Sequence, residues 1–455
     1  MNKWFNLSDS ELLDLELETH DFIGNYLEEN IINLHNPDFY DKMAELAASE
    51  MFDICLCAES FNDSKYDIES IYEHFQKQVR IYVGSFYDLM GLKRRSYKNP
   101  RPHNYLDLDK SELKRTIDYL KIRPQPAQRT AEWYEFRHGL ISASNIWKVF
   151  GSDATRNSLI YEKCKPLQRD RGLSIDLDED PNTISISLAH NKFVNTQSTL
   201  HWGCKYEQLS TMLYEYRNEV KVGEFGCIQH DNYPFIGASP DGIVITEDSQ
   251  LYGRMLEIKN IVNREITGIP SMAYWTQMQL QMEVAGLDEC DFLETRFKEY
   301  DDNEEERFYK EKHNYLYNGV ILYFIKRDFT DNSPHYVYMP LDIPIKRASI
   351  NEWIELKKQE LKDTHVVFRR IYWYCEEYSC VLVHRSREWF KAALPKIEDI
   401  WRIVEKERIS GYEHRKPKRK EAATIQPTIV VKRIDEEEEP SKKMGTKCLI
   451  DLGNL

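Results

Sequence analysis

Three residues at fixed spacing could do chemistry: Asp241, within Gly237-Ala238-Ser239-Pro240-Asp241-Gly242, and the pair Glu257 and Lys259 in Glu257-Ile258-Lys259. Hydrolysis of a phosphodiester at neutral pH needs an activated water and neutralised charge on the phosphate. A bound Mg²⁺, for which Mn²⁺ can substitute, serves both needs. Such a hard cation takes oxygen ligands, so two carboxylates must converge. Pro240 and Gly242 place Asp241 at a tight turn from which a strand returns. Residues two apart on a strand share a face, so Glu257 and Lys259 project together while Ile258 points into the core. Lys259 can then orient or deprotonate the attacking water, or stabilise the transition state. Glu207, in Trp202-Gly203-x-x-x-Glu207, is a third acid beside an apolar helix stripe; an exposed helix glutamate is the plain alternative. Asp231, in His230-Asp231-Asn232-Tyr233-Pro234, is a further candidate metal ligand and also good turn sequence.

The elements that must position these residues follow from periodicity. Residues 7 to about 95 read as helical: Ser8 and Glu11 fit a capping box, and Ile68, Ile71, Tyr72 and Phe75 recur at helical spacing. Lys93, Arg94, Arg95 and Lys98 with Pro100 and Pro102 mark a linker, and Pro124 and Pro126 a second break. From there helices and strands alternate, which indicates an α/β (α+β) domain with a mixed sheet. Short helices are expected over 130–138 and 143–150, a polar excursion over 165–198, and amphipathic helices over 201–218 and 271–285. The first of these two carries a stripe of Tyr206, Leu209, Leu213 and Tyr216. Strands are expected over 220–229, 235–245, 255–262, 290–297 and 319–326. The division is a helical N-terminal region (1–123), a catalytic domain (124–340), an α/β C-terminal extension (341–410) and a charged, disordered tail (411–455).

The chain has 455 residues and a formal net charge of −15, yet nucleic-acid binding needs only a local basic surface. Acid clusters at 176–180, 301–306 and 435–439 read as solvated loops. Cysteines 55, 57, 164, 204, 227, 290, 375, 380 and 448 form no CxxC pair, a pattern that suits reduced thiols in a soluble intracellular protein. No apolar run approaches membrane-spanning length, so no membrane partner is expected.

Five motifs in order extend the triplet: Arg129-Thr130-x-x-Trp133-x-x-x-Arg137-x-Gly139-x-Ile141-x-Ala143-Ser144, then Trp202-Gly203-x-x-x-Glu207, then Ala238-Ser239-Pro240-Asp241-Gly242, then Leu256-Glu257-Ile258-Lys259, and last Pro270-x-x-x-Tyr274-x-x-Gln277-x-Gln279. Over roughly residues 129 to 300 the chain resembles the lambda-type exonucleases, the YqaJ-like viral recombinase family of the PD-(D/E)xK superfamily, with relatives in large DNA viruses. The resemblance implies a restriction-endonuclease-like core with helices flanking a mixed central sheet. It implies a 5′→3′ exonuclease acting on double-stranded DNA ends in recombination, repair or viral genome processing, with a single-strand annealing protein as partner. A homo-oligomer is implied too, since a ring-shaped trimer is typical of the phage enzymes. Host cytoplasm or a viral factory is the implied setting, with the nucleus suggested by the basic run 415–420.

Carried over by position, Glu207, Asp241, Glu257 and the main-chain carbonyl of Ile258 resemble metal ligands, and Lys259 the catalytic lysine. Arg137, Ser144, Ser239 and Gln277 match the pocket for a 5′-phosphate. Arg137 can fork onto a phosphate, and Ser144 opens the expected helix leading to Phe150, where free N–H groups favour an anion. A surface ion pair, a helix cap and a solvated amide are the plain alternatives for Arg137, Ser144 and Gln277. Trp133 and Trp202 read as core, and Gln279 and Gln281 stay undecided. Other readings are a structure-specific or restriction-type endonuclease, an iron–sulfur nuclease using Cys375 and Cys380, and a non-catalytic DNA-end scaffold.

Overall fold

The computed structural model describes residues 9–57, 68–101, 104–126, 130–167, 196, 198–328 and 333–417. The Ser8 cap, Arg129, most of the polar excursion, and the tail from residue 418 lie outside them. The first helices, α1 (Asp9–Asn30), α2 (Phe39–Cys57) and α3 (Ile68–Leu89), bury Leu15, Ala47, Met51, Phe75 and Val79 against one another. Phe75, Val79, Tyr82 and Phe86 lie on one face of α3, and all are buried.

The segment read as a linker is an anchor. Arg95, only 4% exposed, donates through Nη2 to the carbonyls of His35 (3.0 Å) and Pro270 (2.6 Å), and its own carbonyl accepts from Trp275 Nε1 (3.0 Å). Tyr97 exchanges backbone hydrogen bonds with Leu382. A helix that periodicity did not suggest follows, α4 (Lys110–Ile122), capped by Asp109 and burying Ile117 and Leu120.

Next come α5 (Ala131–His138), β1 (Ile141–Ser142), a 3-10 stretch Ala143–Phe150, α6 (Asp153–Cys164) and α7 (Thr199–Asn218). The expected strands 220–229 and 235–245 each divide: β2 (Val222–Gly223), β3 (Ile228–Gln229), β4 (Ile236–Ala238) and β5 (Gly242–Val244). The division has a topological reason. β1, β3 and β4 form a small sheet, while β2 and β5 belong to a seven-stranded one, so the chain changes sheet at Ser239-Pro240-Asp241. Then follow β6 (Met255–Asn260), α8 (Met272–Ala285), β7 (Glu289–Glu299), α9 (Glu305–Glu311), β8 (Asn318–Lys326), β9 (His335–Tyr338), α10 (Arg347–Leu361), β10 (His365–His384) and α11 (Arg387–Ser410).

The mixed central sheet expected from the sequence has the order β2-β5-β6-β7-β10-β8-β9. β6 and β7 run parallel, joined by α8, and the other pairs are antiparallel. Residues 341–410, read as an extension, supply β10, which lies between β7 and β8 inside this sheet. α11 buries Trp389, Ala393, Ile397 and Val404 in the same core as Trp275, and the two indoles meet edge to face at 5.2 Å. The start of the presumed tail is also used: Arg415 pairs with Glu407 at 2.5 Å and Tyr412 packs on Tyr161.

Candidate active site

β6 is covered on both faces. Leu256 and Ile258 enter an apolar cluster with Tyr214 of α7, whereas Glu257 and Lys259 point to α8, as their spacing predicts. Glu257 is fully buried, and its oxygens are shared out: Oε2 accepts from Gln281 Nε2 at 2.7 Å, and Oε1 lies 2.8 Å from Lys259 Nζ. Lys259 Nζ also sits 4.9 Å above the Tyr274 ring.

Asp241 arrives from the sheet-switching turn, and its Oδ2 accepts the Ile258 N–H at 2.6 Å. Gly242, next along, begins β5, and a Cβ there would stand 2.1 Å from Val222 Cγ1, so close approach of β2 requires glycine. The Asp241 carboxyl is densely surrounded by protein, although part of the residue reaches the surface. Burial, then the charges of Glu257 and Glu207, push its pKa well above the usual carboxylate range, against the pull of Lys259. Glu207 on α7 is thus near enough for its charge to act on Asp241. Among the described residues no three acidic, histidine or cysteine side chains close tightly enough to cage an ion by themselves.

The second group gathers beside it. Arg137, at the end of α5, stacks on Trp133 (4.3 Å) and donates through Nη2 to Ser144 Oγ (3.0 Å) and Ser142 Oγ (3.2 Å). Ser144 does not head an α-helix, because 143–150 is 3-10 and makes no side-chain cap there. The buried Ser239 Oγ faces the Cys227 thiol, on which the charge of Arg137 also acts. Gln277 is buried on α8, one turn before Gln281. Gln281 joins the two groups, because its Nε2 also donates to the Ser239 carbonyl at 3.1 Å.

Some candidates fall elsewhere. Asp231 pairs with Arg123 (2.9 Å) and accepts from Tyr119 (3.1 Å), and it is not among the charges acting on Asp241. Gln279 is structural, bridging the His384 carbonyl and the Ser386 N–H. Trp202 packs on Tyr206 at 4.5 Å in the core beside β8 and β10. Cys375 and Cys380 are free thiols. Of the two undecided glutamines Gln281 serves the site, and residues that spacing did not single out include Ser142 and the pair behind Arg137, Lys163 and Glu162.

Comparison with known proteins adds the following. The family described as the YqaJ-like viral recombinase domain matches residues 132–288, which include Arg137, Glu207, Asp241, Glu257, Lys259 and Gln281. An uncharacterised protein of Acanthamoeba polyphaga mimivirus is 29% identical over 369 residues, 73% of this chain; the chain spans 61% of that relative's length. Among solved structures, an alkaline exonuclease (LHK-Exo) from Laribacter hongkongensis aligns with 61% of this chain and 94% of its own, at 18% identity and a TM-score of 0.34. Its complex with dAMP aligns over the same shares, at 20% identity and a TM-score of 0.33. Residues 132–288, which carry both side-chain groups, thus match the YqaJ-like viral recombinase domain.

Proposed function

We propose that the protein is a Mg²⁺-dependent exonuclease that resects linear double-stranded DNA in the 5′→3′ direction, for recombination, repair or viral genome processing. One observation carries the reading: Gln281 hydrogen-bonds both Glu257, in the carboxylate group, and Ser239, in the Arg137 group. A cutting site and an anion site are thus held side by side by one helix.

The residues fit a hard divalent cation. Asp241, Glu257 and Glu207 concentrate negative charge where burial makes it costly, and their donors are all oxygens. Among the described residues the buried Gln281 Oε1 has no hydrogen-bond partner. Asp241 and Glu257 would hold the ion, with Glu207 as third carboxylate and the Ile258 carbonyl as a main-chain ligand. A bound divalent cation supplies neutralisation of phosphate charge and acidification of an attacking water. The chain's own residues do the rest. The Ile258 N–H fixes the Asp241 carboxylate, and Gln281 fixes that of Glu257. Lys259 holds a positive charge at the face where the scissile phosphate would lie, beside Glu257. Arg137 and Ser144 would grip a terminal phosphate, which sets the strand end against the cutting site.

The test uses linear and covalently closed duplex DNA with Mg²⁺ and with chelator. Wild-type protein is expected to degrade only linear DNA, only with metal, and to release 5′ nucleotides. Asp241→Ala and Lys259→Ala are expected to lose activity and keep their circular dichroism spectra. Undiminished digestion by either variant, or cutting of closed circles, would overturn the assignment.

A further inference from the structure

Behind Arg137 lies a set of charged side chains that no motif marks. Lys163, on α6, is 3% exposed; its Nζ donates to the Arg137 carbonyl at 3.0 Å and stands 3.5 Å from Glu162 Oε1. Lys148, 15% exposed at its side chain, reaches the other oxygen of Glu162 at 3.1 Å, and Asn145 Nδ2 donates to Oε1 at 3.2 Å. Arg408 of α11 clamps the same corner, donating to the carbonyls of Lys163 and His138. Lys148 and Lys163 thus both pair with Glu162, whose charge also acts on Arg137, so among the described residues of this poorly solvated corner cations outnumber carboxylates.

That imbalance is unusual energetically. Buried cations without matching anions are costly, and an anion received beside them would offset that cost. Burial lowers the pKa of Arg137 and of Lys163, each opposed by Glu162, and Arg137 and Lys163 repel one another. The neighbouring Cys227 is pushed up by burial and adds no negative charge at neutral pH. In a chain of net charge −15, attraction for an anion at this spot has to come from such a local excess.

We propose that Lys163, Lys148 and Glu162 are positioning residues that set the charge of the pocket headed by Arg137. The two lysines raise its affinity for a terminal phosphate dianion, and Glu162 tempers that affinity so the end can be released after each cut. This inference rests on reading Arg137, Ser144 and Ser239 as a DNA-end pocket. Lys163 also orients Arg137 through its main-chain carbonyl, whereas Lys148 touches Glu162 and reaches the pocket only through its charge and that pairing. The two lysines thereby separate geometry from electrostatics.

The experiment compares initial rates on linear duplexes bearing 5′-phosphate or 5′-hydroxyl ends, and binding of both duplexes in chelator, for the full chain and for Lys148→Met, Lys163→Met and Glu162→Gln. Thermal melts check folding, and the less buried Lys148 keeps the test alive if Lys163→Met fails to fold. The phosphate-to-hydroxyl ratio is expected to fall about tenfold in Lys148→Met, the order of magnitude for loss of one partly screened charge, and further in Lys163→Met. Glu162→Gln is expected to move binding the opposite way, tightening the phosphorylated duplex. A neutral structural role would not give opposite signs. If wild type prefers the phosphorylated end and folded variants keep that ratio, the charge-setting role is overturned while the exonuclease reading stands. If wild type does not distinguish the two ends, the end-pocket reading fails and takes this inference with it.

Discussion

Gln281→Met replaces the side chain that joins the two groups by one of similar length without its donor. Gln281 is 1% exposed, and its Nε2 serves the Glu257 carboxylate at 2.7 Å and the Ser239 carbonyl at 3.1 Å. A hydrogen bond to a charged group contributes about 1.5–3 kcal/mol and a neutral one about 1 kcal/mol. Glu257 is fully buried, so water cannot replace the lost donor and the upper half of that range applies. Part of the loss is regained, because methionine adapts to an apolar wall. A net cost of about 2 kcal/mol, expressed at the carboxylate, corresponds to roughly a thirtyfold loss in kcat/KM. The assay is steady-state digestion of a 5′-phosphorylated linear duplex over a Mg²⁺ titration, with thermal melts in parallel. The activation midpoint for Mg²⁺ should rise, since Glu257 is less well oriented, and the melting temperature should fall by about 2–4 °C. A folded Gln281→Met protein with wild-type kcat/KM and an unchanged Mg²⁺ midpoint would refute the idea that this glutamine organises the site.

Two further outcomes are expected. Asp241, with its pKa raised by burial and by Glu257 and Glu207, binds more protons folded than unfolded between the ordinary carboxylate range and its folded value. Its contribution in metal-free protein is therefore fully present at low pH and is lost as pH rises through that window. Asp241→Asn should flatten this slope in melts run in chelator from about pH 4 to 8; parallel curves for both proteins would contradict the argument. Arg254, 2% exposed, holds Glu289 at 2.5 Å and Asp291 at 3.5 Å; Tyr214 also donates to the Asp291 carboxylate and the Leu106 N–H to that of Glu289. Arg254→Met removes the cation that both buried carboxylates share and should cost about 3–5 kcal/mol, read as a lower denaturation midpoint that Arg254→Lys partly restores.

Local patterns were legible where one element faced one environment. Helices α5 and α8 start within a residue of the expected positions, where Thr130 and Ser271 prove to be their caps, because a cap is a contact across three residues. The stripe on α7 was right at Tyr206, Leu209 and Leu213 but not at Tyr216, which is 55% exposed. Tyr214 is buried in its place, since α7 rolls toward β6 and its hydroxyl donates to Asp291 at 2.7 Å. The long strands expected around Asp241 divide because two sheets compete for that segment, and pairing partners tens of residues away decide the outcome. Likewise β10 was read as an extension, because its partners β7 and β8 are distant in the chain.

The sequence by itself determined the order of the acids and the lysine, the shared face of Glu257 and Lys259, and the turn that presents Asp241. These depend on pleat and turn geometry, which act over a few residues. Only the tertiary structure decided that Asp231 belongs to Arg123, that Gln281 rather than Gln279 serves the site, and that Lys163 and Glu162 stand behind Arg137. Each of those is a contact between elements far apart in the chain. Its identity rests on how helices roll against the sheet, and on which buried charge lies near enough to be worth pairing.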